Sequence, residues 1–159
     1  MKRLSLLGLI FAVLLMLPCS VQAVDAIQIK DPWIRAAPPV VQTLAAYMTI
    51  QNQSQQEKII VSISSPLFAS VELHETIQHD GMTMMKAHKQ LPIPAGASVQ
   101  LTPGGYHLML IAPQKALRPA DRVPMTLTFL DGARLTFEAE VRSGTNQPAE
   151  KTGHEPMHH

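Results

Sequence analysis

Between Ile27 and Arg142 the chain is written in short alternating runs broken by turn signals, and this rhythm restricts the fold more than any other feature. The runs are "AIQIKDPWIRAA", "LAAYMTIQN", "EKIIVSISS", "SVELHET", "MTMMKAHK", "ASVQLTP", "YHLMLIAP", "RVPMTLTFLD" and "ARLTFEAEVR". Between them lie "QSQ", "HDG", "PAG", "PGG", "PAD" and the pair Asp131–Gly132. A period of two marks strands with one buried face, whereas an amphipathic helix repeats roughly every 3.6 residues. The 13 prolines argue against a helical bundle, because an interior proline removes a helical hydrogen bond and clashes with the preceding turn. Strands at this spacing predict an all-β, antiparallel sandwich or Greek-key barrel. Asp131–Gly132, flanked by "MTLTFL" and "RLTFEAEV", is expected to form the clearest hairpin through a two-residue turn.

Three segments are expected along the 159 residues. Residues 1–23 read as a signal peptide: Lys2 and Arg3 supply the positive start, "LSLLGLIFAVLLMLP" the apolar stretch, and "VQA" the cleavage site. The apolar run is short for a bilayer span and breaks at Pro18, so no membrane span is expected after cleavage. Lipidation at Cys19 is disfavoured by Pro18, which stands where a small residue normally precedes a lipidated cysteine. Residues 24–142 form the β domain, of a size for one core. Residues 143–159 lack apolar periodicity and are expected to be a disordered tail.

Cleavage before Val24 removes the only cysteine, Cys19, so the mature chain has no thiol for a disulfide, a thiolate metal site or a nucleophile. It also lowers the basic count from 13 to 11 against 12 acidic residues, a near-neutral balance that offers no electrostatic case for nucleic acid. No Ser-His-Asp arrangement, paired carboxylate motif or glycine-rich phosphate loop stands out, so no enzymatic activity is expected.

The chemistry left is imidazole and thioether. In "SVELHET", Val71 and Leu73 face the core and Glu72 and His74 face away from it; in "YHLMLIAP", Leu108 and Leu110 face the core. His107 and Met109 therefore share the outward face, about 6.6 Å apart along the strand. Three methionines, Met82, Met84 and Met85, crowd the "HDG" turn. Singly, such residues are usually solvated histidines or packing methionines. Together they suit a soft monovalent metal, copper(I) first and silver(I) as its mimic, whereas zinc prefers thiolate or carboxylate beside histidine and calcium prefers oxygen.

The spacing His-x10-Met-x21-His-x-Met, met by His74, Met85, His107 and Met109, resembles the signature of the periplasmic copper(I) chaperones called PCu(A)C. "DPWIRAAPP", "AAYMTIQN", "VELHET" and "PGGYHLMLI" are similar to segments of the same family, and the resemblance runs from about Ile27 to Arg142. It implies a cupredoxin-like Greek-key β-barrel that binds one copper(I) through His74, Met85, His107 and Met109. The implied partner is a copper acceptor such as the CuA subunit of cytochrome c oxidase or another copper chaperone. Relatives commonly read Gly-Val-Met-x-Met where this chain reads Gly81-Met82-Thr83-Met84-Met85, so Met84 stands beside Met85 as a second candidate for the turn ligand. In the tail, His154, Met157, His158 and His159 are candidates for an auxiliary copper(II) site, because short His-rich tracts bind metals.

These readings predict a monomeric, periplasmic metallochaperone. The alternative is a periplasmic copper-buffering or resistance protein with no dedicated acceptor, which needs the same ligands. An electron-transfer cupredoxin is excluded by the missing cysteine thiolate.

Overall fold

A computed structural model describes residues 26–143; the expected signal peptide and the tail with His154, Met157, His158 and His159 lie outside the described residues. Ten strands follow one another: β1 Ile27–Arg35, β2 Thr43–Asn52, β3 Lys58–Ser64, β4 Phe68–His79, β5 Met82–His88, β6 Leu91–Ile93, β7 Ser98–Leu101, β8 Tyr106–Pro113, β9 Arg122–Phe129 and β10 Arg134–Arg142. Among the described residues there is no α-helix, and none long and apolar enough to cross a membrane.

The strands join in the order β5-β4-β8-β7-β2-β1-β10-β9-β3-β6, with β8 also paired to β2. The sheet curls until β3 lies against β4, which closes a sandwich-like barrel around one core. Pairing is antiparallel except for β1 with β10 and the single β7–β8 contact Leu101↔Tyr106, both parallel. The all-β, cupredoxin-like expectation therefore holds, with a parallel β1–β10 pair added to the antiparallel scheme.

Alternation places the core as expected. Val123, Met125, Leu127 and Phe129 of β9 and Leu44, Ala46, Met48 and Ile50 of β2 are buried, and so are Leu108 and Leu110 of β8. β6 was missed by the strand reading because it is three residues with a central proline. It is an edge strand, the one place where Pro92 removes no ladder hydrogen bond, and its Leu91 and Ile93 still point inward. In β1 the register shifts between Lys30 and Trp33, where Asp31 takes a φ of 47°. This bulge is tied down by Arg142, whose Nη2 donates to Asp31 Oδ1 at 2.6 Å.

The two hairpin turns reverse the expectation. At Asp131–Gly132 the loop has three residues: Gly132 N–H donates to Phe129 C=O, Phe129 N–H donates to Ala133 C=O, and only Gly132 has positive φ. That is a type I turn closed by a left-handed glycine. The two-residue turn instead falls at Asp80–Gly81, where His79 pairs with Met82 and both turn residues have positive φ, 51° and 76°. "MTMM" is thus part of strand β5 and not of a loop, which fixes the face of each methionine.

Candidate metal centre

Strands β8, β4 and β5 lie side by side, and their registers decide which side chains meet. His74 of β4 is directly opposite His107 of β8, and Glu72 is opposite Met109. Across the other edge of β4, Thr76 is opposite Met85 and His74 is opposite Ala87. Directly paired residues share a face, and so do residues two apart. His74, Met85, His107 and Met109 therefore stand on one outer face, together with Glu72. Met84 is opposite Ile77 and lies on the reverse face. The two turn candidates are thereby separated, and only Met85 joins the histidines.

The floor of this face continues into β2 and β1. Ala45 pairs with Met109 and keeps the space beside it small. Tyr47, two residues on, stacks with Trp33 at 4.7 Å between ring centroids, and the Arg35 guanidinium lies 5.8 Å from the Tyr47 ring centroid. Burial holds the Tyr47 hydroxyl above its ordinary pKa, against the opposing pull of Arg35.

The four residues are unequally exposed. His107, expected to face solvent, is only 7% exposed. The His74 side chain is 16% exposed, Met109 is half-buried, and Met85 stands out at 63%. Outward alternation thus puts His107 off the core without putting it in water. The imidazoles form the inner part of the site and Met85 its outer rim.

Hydrogen bonds set the free donor atoms. His107 Nδ1–H donates to Gly105 C=O at 3.0 Å, leaving Nε2 as the lone-pair nitrogen of the neutral ring. His74 Nε2–H donates to Glu72 Oε2 at 2.9 Å. His74 Nδ1 is buried and has no partner. Buried polar atoms are almost always satisfied, so an unpartnered imidazole nitrogen beside a second free imidazole fits the donor set of a bound cation. The two ring centroids are 6.1 Å apart. Imidazoles bonded to one small metal at about 2 Å place their centroids within roughly 6.5 Å of each other, so one ion can reach both rings. Among the described residues no three His, Cys, Asp or Glu side chains converge. Further donors must come from the thioethers of Met85 and Met109, which makes the set soft.

The reverse face carries residues the sequence reading overlooked. Glu75 accepts from His88 Nε2 at 2.8 Å. His88 meets the Tyr106 ring edge-on, with centroids 5.3 Å apart. Burial raises the Tyr106 pKa, and Glu75 raises it further through its charge and a hydrogen bond. Glu75 pairs with Tyr106, one residue from the His74–His107 pair. The Glu75–His88–Tyr106 group therefore pins the register that brings the imidazoles together. Gly105 C=O adds a second tie by also accepting Thr76 N–H at 3.1 Å. The available signal was the alternation of β5, which separates His88, Lys86 and Met84 from Met85.

A cupredoxin-like barrel with two imidazoles and two thioethers on one outer strand face defines a small soft-metal-binding β domain. The chain belongs to the LpqE-like family, whose model matches residues 27–141. A protein of Leifsonia xyli subsp. xyli carrying a lipoprotein description, Lxx21020, is 33% identical over 138 residues, covering 82% of each chain. The copper-bound PCuAC domain of PmoF2 is 26% identical, with a TM-score of 0.63, over 76% of this chain and 96% of that one. Copper(I)-bound DR1885 of Deinococcus radiodurans is 32% identical, with a TM-score of 0.62, over 80% of this chain and 85% of that one. The resemblance to the PCu(A)C chaperones read from the sequence is borne out.

Proposed function

We propose that this protein is an exported copper(I) metallochaperone that carries one ion on His74, Met85, His107 and Met109 and passes it to an acceptor protein in the periplasm. The observation that carries the reading is the register His74↔His107 with Glu72↔Met109 and Thr76↔Met85, which aligns four soft donors on one outer face. Two similar structures, the copper-bound PmoF2 domain and copper(I)-bound DR1885, support the choice of metal.

Each residue has a distinct task. Gly105 and Glu72 orient the two imidazoles, and neutral rings hold the ion. The thioethers favour copper(I) over copper(II) and do not titrate. Met85 is the exposed donor, so it is the one an incoming acceptor ligand replaces first. Release by stepwise ligand exchange needs no opening of the barrel.

Two measurements test the reading. Copper(I) titration of the mature protein against His74→Ala, Met85→Ala, His107→Ala and Met109→Ala should show a loss of affinity in every variant; unchanged affinity in all four refutes the site. Transfer to the apo CuA domain of a cytochrome c oxidase then separates a delivery protein from a buffer, because a buffer gives its copper to that domain no faster than a small-molecule complex does.

A further inference from the structure

His79, Met82 and Met84 are not used by the outer-face site, yet the β4–β5 hairpin gathers them. The two-residue turn pairs His79 with Met82, and the next pair on the same face is Ile77 with Met84. One imidazole and two thioethers therefore share the reverse face of the hairpin tip. Directly opposed residues have Cβ atoms about 5 Å apart and diagonal neighbours about 7–8 Å, distances that unbranched methionine side chains span easily.

Among the described residues nothing covers this face. Pairing of β4 with β8 ends at Glu75↔Tyr106, with Thr76 N–H still donating to Gly105 C=O, so residues 77–84 project beyond the barrel as a two-stranded ribbon. Met82 is 62% exposed, Met84 is 47% exposed and the His79 side chain is 70% exposed. Core filling does not account for methionines that reach no core. β5 is also an edge strand, where natural sheets usually place charge and avoid apolar side chains. The charged groups at the tip are Asp80, whose Oδ2 is 3.4 Å from His79 Nε2, and Lys86, opposite Glu75 further down the ribbon. A carboxylate beside the imidazole offsets the charge of a bound cation.

We propose that His79, Met82 and Met84 form a second, separate site for a soft monovalent metal ion, copper(I) or silver(I), on the reverse face of the hairpin. Three donors on a solvated ribbon hold the ion more weakly than four donors seated on the barrel wall, so this site fills after the first. It is independent of the copper(I) reading of the outer-face site, since it uses none of those four donors.

The test is titration of the full mature chain, labelled at methionine methyl carbons, with silver(I) nitrate in chloride-free buffer, followed by NMR. Single Met→Leu variants assign the signals. The expected result is that the Met82 and Met84 methyls and the His79 ring signals move together between one and two equivalents, after Met85 and Met109 have stopped moving. Met82→Leu/Met84→Leu, at two exposed positions, should abolish that second step and leave the first unchanged. The proposal is overturned if Met82 and Met84 stay still through two equivalents while Met157 moves, or if they move with Met85 in the first equivalent, which would mean one shared site. Failure of Met85 and Met109 to move would refute the outer-face site alone, because the hairpin signals are read separately.

Discussion

Replacing Met85 with leucine removes a thioether from the outer face, whereas the same change at Met84, one residue earlier, removes it from the reverse face. Structural zinc sites with four ligands in small peptides are worth about 10–16 kcal/mol, and on that scale one ligand of four accounts for roughly 3 kcal/mol. That corresponds to a loss of about 100-fold in affinity. Met85 is 63% exposed, and water or a neighbouring donor replaces part of what is lost. The expected weakening for Met85→Leu is therefore about 10- to 100-fold. For Met84→Leu it is under about threefold: Met84 could reach the imidazoles only if β5 slipped by one residue, and a one-residue slip turns every side chain of a strand to its other face. That slip would break the His88–Glu75 contact and the tight turn at Asp80–Gly81. The assay is competition with a chromogenic copper(I) chelator at less than one equivalent of metal, which reads the tighter site only. Both substitutions lie at exposed positions and should change stability by no more than about 0.5 kcal/mol. Equal losses in the two variants, or a larger loss at Met84, would refute the assignment of faces.

Further outcomes are expected. Glu72→Ala removes the acceptor that orients His74 and should weaken copper(I) binding by about tenfold without unfolding the domain, as read by the same competition and by circular dichroism. The hydrogen bond from Lys58 lowers the Asp131 pKa, so the pair stabilises the fold fully above the ordinary carboxylate range and ceases to do so as pH falls through the lowered value. Asp131→Asn should therefore cost up to about 1 kcal/mol at pH 7, and the difference in melting temperature should vanish in strong acid; a difference that persists there contradicts the linkage. Deleting residues 143–159 should abolish copper(II) binding by His154, Met157, His158 and His159 and spare copper(I), with unchanged copper(II) stoichiometry counting against an auxiliary site. The intact mass of the exported protein should correspond to a chain starting at Val24, and a lipidated Cys19 would overturn that cleavage.

Local alternation was enough to assign faces within a strand. It put Leu108 and Leu110 inward, paired His107 with Met109, and set His74 on the side away from Leu73, because successive side chains of a strand point to opposite faces whatever its neighbours are. The lone Cys19 falls in the expected signal peptide, and that expectation pointed away from thiolate chemistry. Met84 and Met85 could also have been told apart from the sequence: a two-residue turn at Asp80–Gly81 fixes the pairing of every later residue in β5. That turn was instead expected at Asp131–Gly132, where the chain uses three residues.

Which strands lie together was decided only in three dimensions. That β4 sits between β8 and β5, that His74 meets His107 in register, and that His107 is covered despite facing away from the core all depend on contacts between segments far apart in the chain. The Glu75–His88–Tyr106 group that holds this register is likewise invisible strand by strand. Side-chain period is a property of the local backbone, whereas neighbour and register are properties of the packed barrel, and a site built from three strands needs both.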